Sequence, residues 1–100
     1  MTGIGGCRSS GVLGASAIVS KDNAKLISLH LAITVNSGAC TVKVFNGTDN
    51  SGTEIVRFHN EVNGFYNLEY DMHGVMCRSG IFLEITEAGS STANVSVEFN

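Results

Sequence analysis

Leu26-Ile27-Ser28-Leu29-His30-Leu31-Ala32-Ile33-Thr34-Val35 decides the fold class. Ile27, Leu29, Leu31, Ile33 and Val35 share one parity, and Ser28, His30, Ala32 and Thr34 the other. Successive side chains of an extended chain point to opposite faces, whereas a helix repeats its face roughly every 3.6 residues. The stretch therefore predicts a strand with one face buried and the other wet.

Outward from it the same alternation recurs in Cys40-Thr41-Val42-Lys43-Val44-Phe45, in Ile81-Phe82-Leu83-Glu84-Ile85-Thr86 and in Val95-Ser96-Val97-Glu98-Phe99. Glu54 to Phe58 and Phe65 to Tyr70 also read as strands, the second placing Tyr66, Leu68, Tyr70 and Met72 on one side. Val12 to Val19 forms a less regular first strand, and Val75-Met76-Cys77 a short extra one. The intervening segments are Asn- and Gly-rich: Asn36-Ser37-Gly38, Asn46 to Gly52, Asn63-Gly64, Arg78-Ser79-Gly80 and Ala88 to Ser91. Asn and Gly tolerate the positive φ that tight connections require. Val and Ile total 17 against 6 Leu, and branching at Cβ suits a pleated surface. The expectation is an all-β protein, a single antiparallel β-sandwich of seven or eight strands, either jelly-roll-like or immunoglobulin-like. Its core is expected to hold Leu29, Leu31, Ile33, Val42, Val44, Leu68, Tyr70, Leu83, Ile85, Val95 and Val97.

One hundred residues make one domain. Residues 12–100 are assigned to the sandwich and residues 1–11 to an extended N-terminal arm, because Gly3, Gly5, Gly6 and Gly11 leave Ile4 as its one large apolar anchor. Such an arm suits crossing to a neighbouring subunit, with Ile4 and Cys7 as contacts.

Charged residues are 15% of the chain, against about 25% in ordinary globular domains, which favours a protein packed against copies of itself or a partner. A net charge of −3, with the six Lys and Arg scattered, argues against nucleic acid, whose phosphates demand clustered cations. No apolar run reaches the roughly 18 residues of a spanning helix, and Met1 to Arg8 lacks the pattern of a signal peptide. The chain as it stands is expected to be neither membrane-embedded nor secreted by its own signal. Cys7, Cys40 and Cys77 are an odd set without a Cys-x-x-Cys pair and read as reduced thiols.

His30, His59 and His73 have no second ligand at the spacings zinc sites use, so no metal or other cofactor is expected. No nucleophile stands at a recognisable spacing from a base, and Gly-x-Ser-x-Gly is absent, so no catalytic residue is assigned and the protein is read as a non-enzyme. The oxygen-rich loop Asn46 to Gly52 offers one Asp and no terminal Glu, too few carboxylates for calcium. Glu84, Glu87 and Glu98 read as an acidic, solvated strand face. Phe45, Phe58, Phe65 and Phe82 lie on the parity opposite to their strands' clearest apolar sets, so part of one outer sheet face is apolar. Subunit contact explains that economically, making these four phenylalanines candidate assembly contacts.

The stretch Asn67-Leu68-Glu69-Tyr70-Asp71-Met72-His73-Gly74-Val75-Met76-Cys77-Arg78-Ser79-Gly80-Ile81-Phe82-Leu83-Glu84-Ile85-Thr86, with a Gly-Ser loop and the strand Ala93 to Phe99 after it, resembles small virion proteins of tailed bacteriophages. Lys25 to Val35, a turn, and Thr41 to Asn46 fit the same rhythm, so the resemblance spans about residues 12–99. It implies a non-catalytic β-sandwich virion protein, a head decoration or cement protein that forms homo-oligomers, trimers by preference. The expected partners are the major capsid protein or other virion proteins, and the expected location is the virion, after synthesis in the host cytoplasm. The alternative is a tail, fibre or knob module whose loops Asn46–Gly52 and His59–Gly64 bind a carbohydrate or host receptor.

Overall fold

The computed structural model describes residues 7–100, so Ile4 and the rest of the first six residues lie outside the described part. Eight strands follow one another: β1 (Arg8–Leu13), β2 (Ala17–Ser20), β3 (Ala24–Val35), β4 (Cys40–Asn46), β5 (Thr53–Asn60), β6 (Gly64–Cys77), β7 (Ile81–Glu87) and β8 (Thr92–Phe99). The pairing β1·β8, β2·β7, β3·β6 and β4·β5 is antiparallel throughout, as if one long hairpin had been folded at its middle. Rolling that ribbon adds the contacts β3·β8 and β4·β7. The result is two four-stranded sheets, β1-β8-β3-β6 (sheet A) and β2-β7-β4-β5 (sheet B). That order is a jelly roll, which decides between the two sandwiches the alternation allowed. No helix among the described residues is long and apolar enough to cross a membrane.

The core lies between the sheets, where Leu26, Leu29, Ile81, Leu83, Val95 and Val97 are at most 1% exposed. Every expected core residue faces it: Leu29, Leu31, Ile33, Val42, Val44, Leu83, Val95 and Val97 are buried, and Leu68, Tyr70 and Ile85 pack against it partly buried. Among the described residues Ser28 and Ser91 are the buried polar ones. Ser91 Oγ donates to Gly38 O at 2.7 Å and accepts from Asn36 N at 2.9 Å, and Ser28 donates to a Glu98 carboxylate oxygen, so neither carries the cost of an unpaired polar group.

Four features depart from the simple alternation. Residues 12–19 are not one strand: β1 and β2 lie in different sheets, and Ser16 Oγ accepts the Ile85 N–H at 2.8 Å where the chain joins β7. Arg8 to Gly11, assigned by sequence to the arm, form most of β1, with Arg8 opposite Phe99 and Ser9 opposite Glu98. In β3 the register shifts between Leu26 and Ser28, so Leu26 turns inward and Ile27 is the extra residue of a bulge. Val75 to Cys77 are no separate strand but continue β6 past an irregular step at His73 (φ 55°) and Gly74 (φ 79°), where Asp71 Oδ1 accepts the His73 N–H at 3.0 Å.

Candidate functional site

The outer face of sheet B is largely self-satisfied. Register aligns Ile18, Phe82, Phe45 and Glu54 in one row across its four strands. Phe45 and Phe82 pack with ring centroids 6.3 Å apart, which leaves Phe45 only 6% exposed although it lies outside the main core. β5 skips Ile55 in its register with β4, and this bulge brings Glu54 and Arg57 to one face. The Arg57 guanidinium donates twice to the Glu54 carboxylate at 2.9 Å, which holds Glu54 below the ordinary carboxylate range. Glu84, Glu87 and Glu98 do not form one acidic face: Glu84 is on this side bonded to Asn50, Glu98 is on sheet A, and Glu87 accepts the Ala93 N–H.

Two arrangements on sheet B and its loops bring together groups of chemical interest. Thr41 Oγ1 and His59 Nδ1 are 2.7 Å apart and His59 Nε2 is 3.8 Å from Glu61, a hydroxyl–imidazole–carboxylate chain. His59 and Glu61 are 47% and 78% exposed, so water competes for these contacts. At the end of β4 Asn46 Oδ1 accepts from Ser79 N, and in the loop that follows Asp49 Oδ1 accepts from Ser51 N and Oγ, so both oxygens hold the turn. Among the described residues no three His, Cys, Asp or Glu side chains are placed to hold a metal ion.

Sheet A presents a different outer face. Phe65, Thr34 and Thr92 form one row across β6, β3 and β8, followed by Asn67, Ala32 and Asn94, and then by Glu69, His30, Ser96 and Val12. Ala32 is the smallest side chain in the middle of these rows, and a groove of about 400 Å³ opens over it, lined by Val12, His30, Asn67, Glu69, Asn94 and Ser96 among others. His30 Nε2 lies 3.6 Å from Glu69 and 3.8 Å from Glu98. The sequence marks these positions only as the wet parity of three strands. Their convergence depends on register between segments far apart in the chain.

At one end of the same face Phe65 is 86% exposed, and Val62 in the β5–β6 loop is 68% exposed. The loop is pinned: Asn60 Oδ1 accepts the Val62 N–H at 2.8 Å, Tyr66 OH donates to Val62 O at 2.9 Å, and Asn63 Oδ1 accepts the Ser37 N–H at 3.1 Å. Beside it Thr34, Val35, Asn36, Asn63, Gly64 and Phe65 line a second cleft of about 210 Å³.

The candidate assembly contacts are therefore scattered. Phe58 points into the core opposite Val42, because it shares parity with Val56, and Phe45 is covered by its own sheet. Phe82 is half-buried on sheet B, Phe65 stands free on sheet A, and Cys7 is exposed just before β1. Burial raises the thiol pKa of Cys40 and Cys77, Glu87 adding to the effect at Cys40, so both stay protonated and unreactive at neutral pH. A thiol reagent should accordingly modify one cysteine per native chain, Cys7, and three in denaturant. Rapid native modification of a second thiol would show that a core strand opens.

Comparison of the chain with protein-family models, with curated proteins and with solved structures returns no match.

Proposed function

We propose that the protein is a non-catalytic structural component of a bacteriophage virion, a capsid decoration or cement protein that attaches to the head surface or to its own copies through the corner bearing Phe65 and Val62. The observation that carries this reading is the 86% exposure of Phe65 on β6, one of the two edge strands of sheet A. An edge strand offers unpaired N–H and C=O groups to another chain. Along the outer half of β6 the irregular step at His73 and Gly74, together with Glu69 and Asp71, blunts that edge and leaves the Phe65 end as the adhesive one. The pinned β5–β6 loop presents Val62 already ordered, which lowers the entropy lost on docking. Jelly rolls recur in viral capsid domains, in keeping with the resemblance of residues 12–99, and the low charge suits a surface that another protein covers.

Phe65→Ser tests this by light scattering on the isolated chain and co-sedimentation with purified phage particles. The wild-type chain is expected to self-associate or to attach at stoichiometric copy number, and the variant to lose that association while melting within a few degrees of wild type, since Phe65 is outside the core. A wild-type chain that is monomeric and absent from particles, or a variant that associates like wild type, overturns the proposal.

A further inference from the structure

We propose that the groove over Ala32 on the outer face of sheet A is a binding site for a neutral saccharide. Its volume of about 400 Å³ is that of a small-molecule site, and its polar groups converge from three adjacent strands, β6, β3 and β8. Asn67 and Asn94 are the register partners of Ala32 on either side, so their backbones run roughly 10 Å apart, two strand spacings, and a carboxamide side chain flanks each side of a residue that carries only a methyl group. Each carboxamide offers both donors and an acceptor, the complement that sugar hydroxyls, which donate and accept at one atom, require. Ser96 and His30 add a hydroxyl and an imidazole in the next row, and Val12, 73% exposed, forms an apolar wall for the C–H face of a sugar ring.

Charge narrows the ligand class. Among the described residues no Lys or Arg lines the groove, Glu69 does, and Glu98 lies 3.8 Å from His30, so phosphate, sulfate or carboxylate groups would meet carboxylates with no Lys or Arg to offset them. A neutral ligand with many hydroxyls satisfies the lining without that repulsion. The site is separate from the Phe65 corner in the residues it uses, so a glycan-binding function is compatible with attachment through that corner.

The test is an array of neutral, sialylated and sulfated oligosaccharides probed with the full-length chain, followed by calorimetric titration of the strongest neutral ligand. Neutral glycans are expected to bind, and Ala32→Phe, which fills the groove from an exposed position, to weaken binding at least tenfold. The double variant Asn67→Ala with Asn94→Ala is expected to do the same without adding bulk, which covers the case in which Ala32→Phe fails to fold. Phe65→Ser should leave glycan affinity within twofold, so loss of assembly and loss of sugar binding are separable. Absence of any neutral glycan above background, binding confined to anionic glycans, or affinity unchanged in the groove variants overturns the inference. So does a change of oligomeric state in Ala32→Phe, which would make this face a protein interface.

Discussion

Leu83→Ala is expected to lower the unfolding free energy by about 2–5 kcal/mol, a large share of the roughly 5–15 kcal/mol that holds a domain of this size together. Leu83 is fully buried in the middle of sheet B, with Val44 of β4 and Ala17 of β2 as its register partners. Truncation removes three carbons from an apolar setting and leaves a cavity that two hydrogen-bonded neighbours restrain from collapsing. The adjacent Glu84 points the other way, to solvent, where its carboxylate accepts from Asn50 Nδ2 at 3.1 Å. Glu84→Ala should change stability by no more than about 0.5 kcal/mol. Thermal or denaturant unfolding of the pair reads the sandwich directly: a Glu84→Ala loss equal to that of Leu83→Ala would mean that β7 is turned by one residue.

The second large effect is expected from a backbone position. Gly80 has φ +110°, a conformation L side chains rarely adopt, and a Cβ there would stand 2.5 Å from the Ser20 carbonyl oxygen. Its own carbonyl accepts the Gly47 N–H at 3.1 Å, so the end of β2, the loop after β4 and the β6–β7 turn meet at this residue. Gly80→Ala should cost about 1–3 kcal/mol in backbone strain alone, with the clash added, because a carbonyl within a ladder cannot rotate aside as a side chain can. Gly11 is the control: it has φ +72° but nothing within 4 Å of a Cβ, so Gly11→Ala bears the strain without the clash. Unfolding midpoints should fall further for Gly80→Ala, and equal losses would refute the close approach at Ser20.

Strand faces were legible in the sequence because alternation is a local property: whatever Leu29, Leu31, Ile33 and Val35 pack against, an extended chain puts them on one side. The same logic placed Val42, Val44, Leu83, Val95 and Val97 inside and marked the connections at Asn36–Gly38 and Arg78–Gly80. It failed where a single residue breaks the period. The bulges at Ile27 and Ile55 reverse parity for what precedes them, and the corner at residues 14–16 sends β1 and β2 to different sheets. Phe45 and Phe58 illustrate the limit from the other side, since both looked free for assembly, yet one is capped by Phe82 and the other fills the core. Tertiary structure alone chose the jelly-roll order and aligned Asn67, Ala32 and Asn94 into one groove. Register is a relation between segments tens of residues apart, fixed by the joint packing of both sheets, and no local pattern of polarity encodes it.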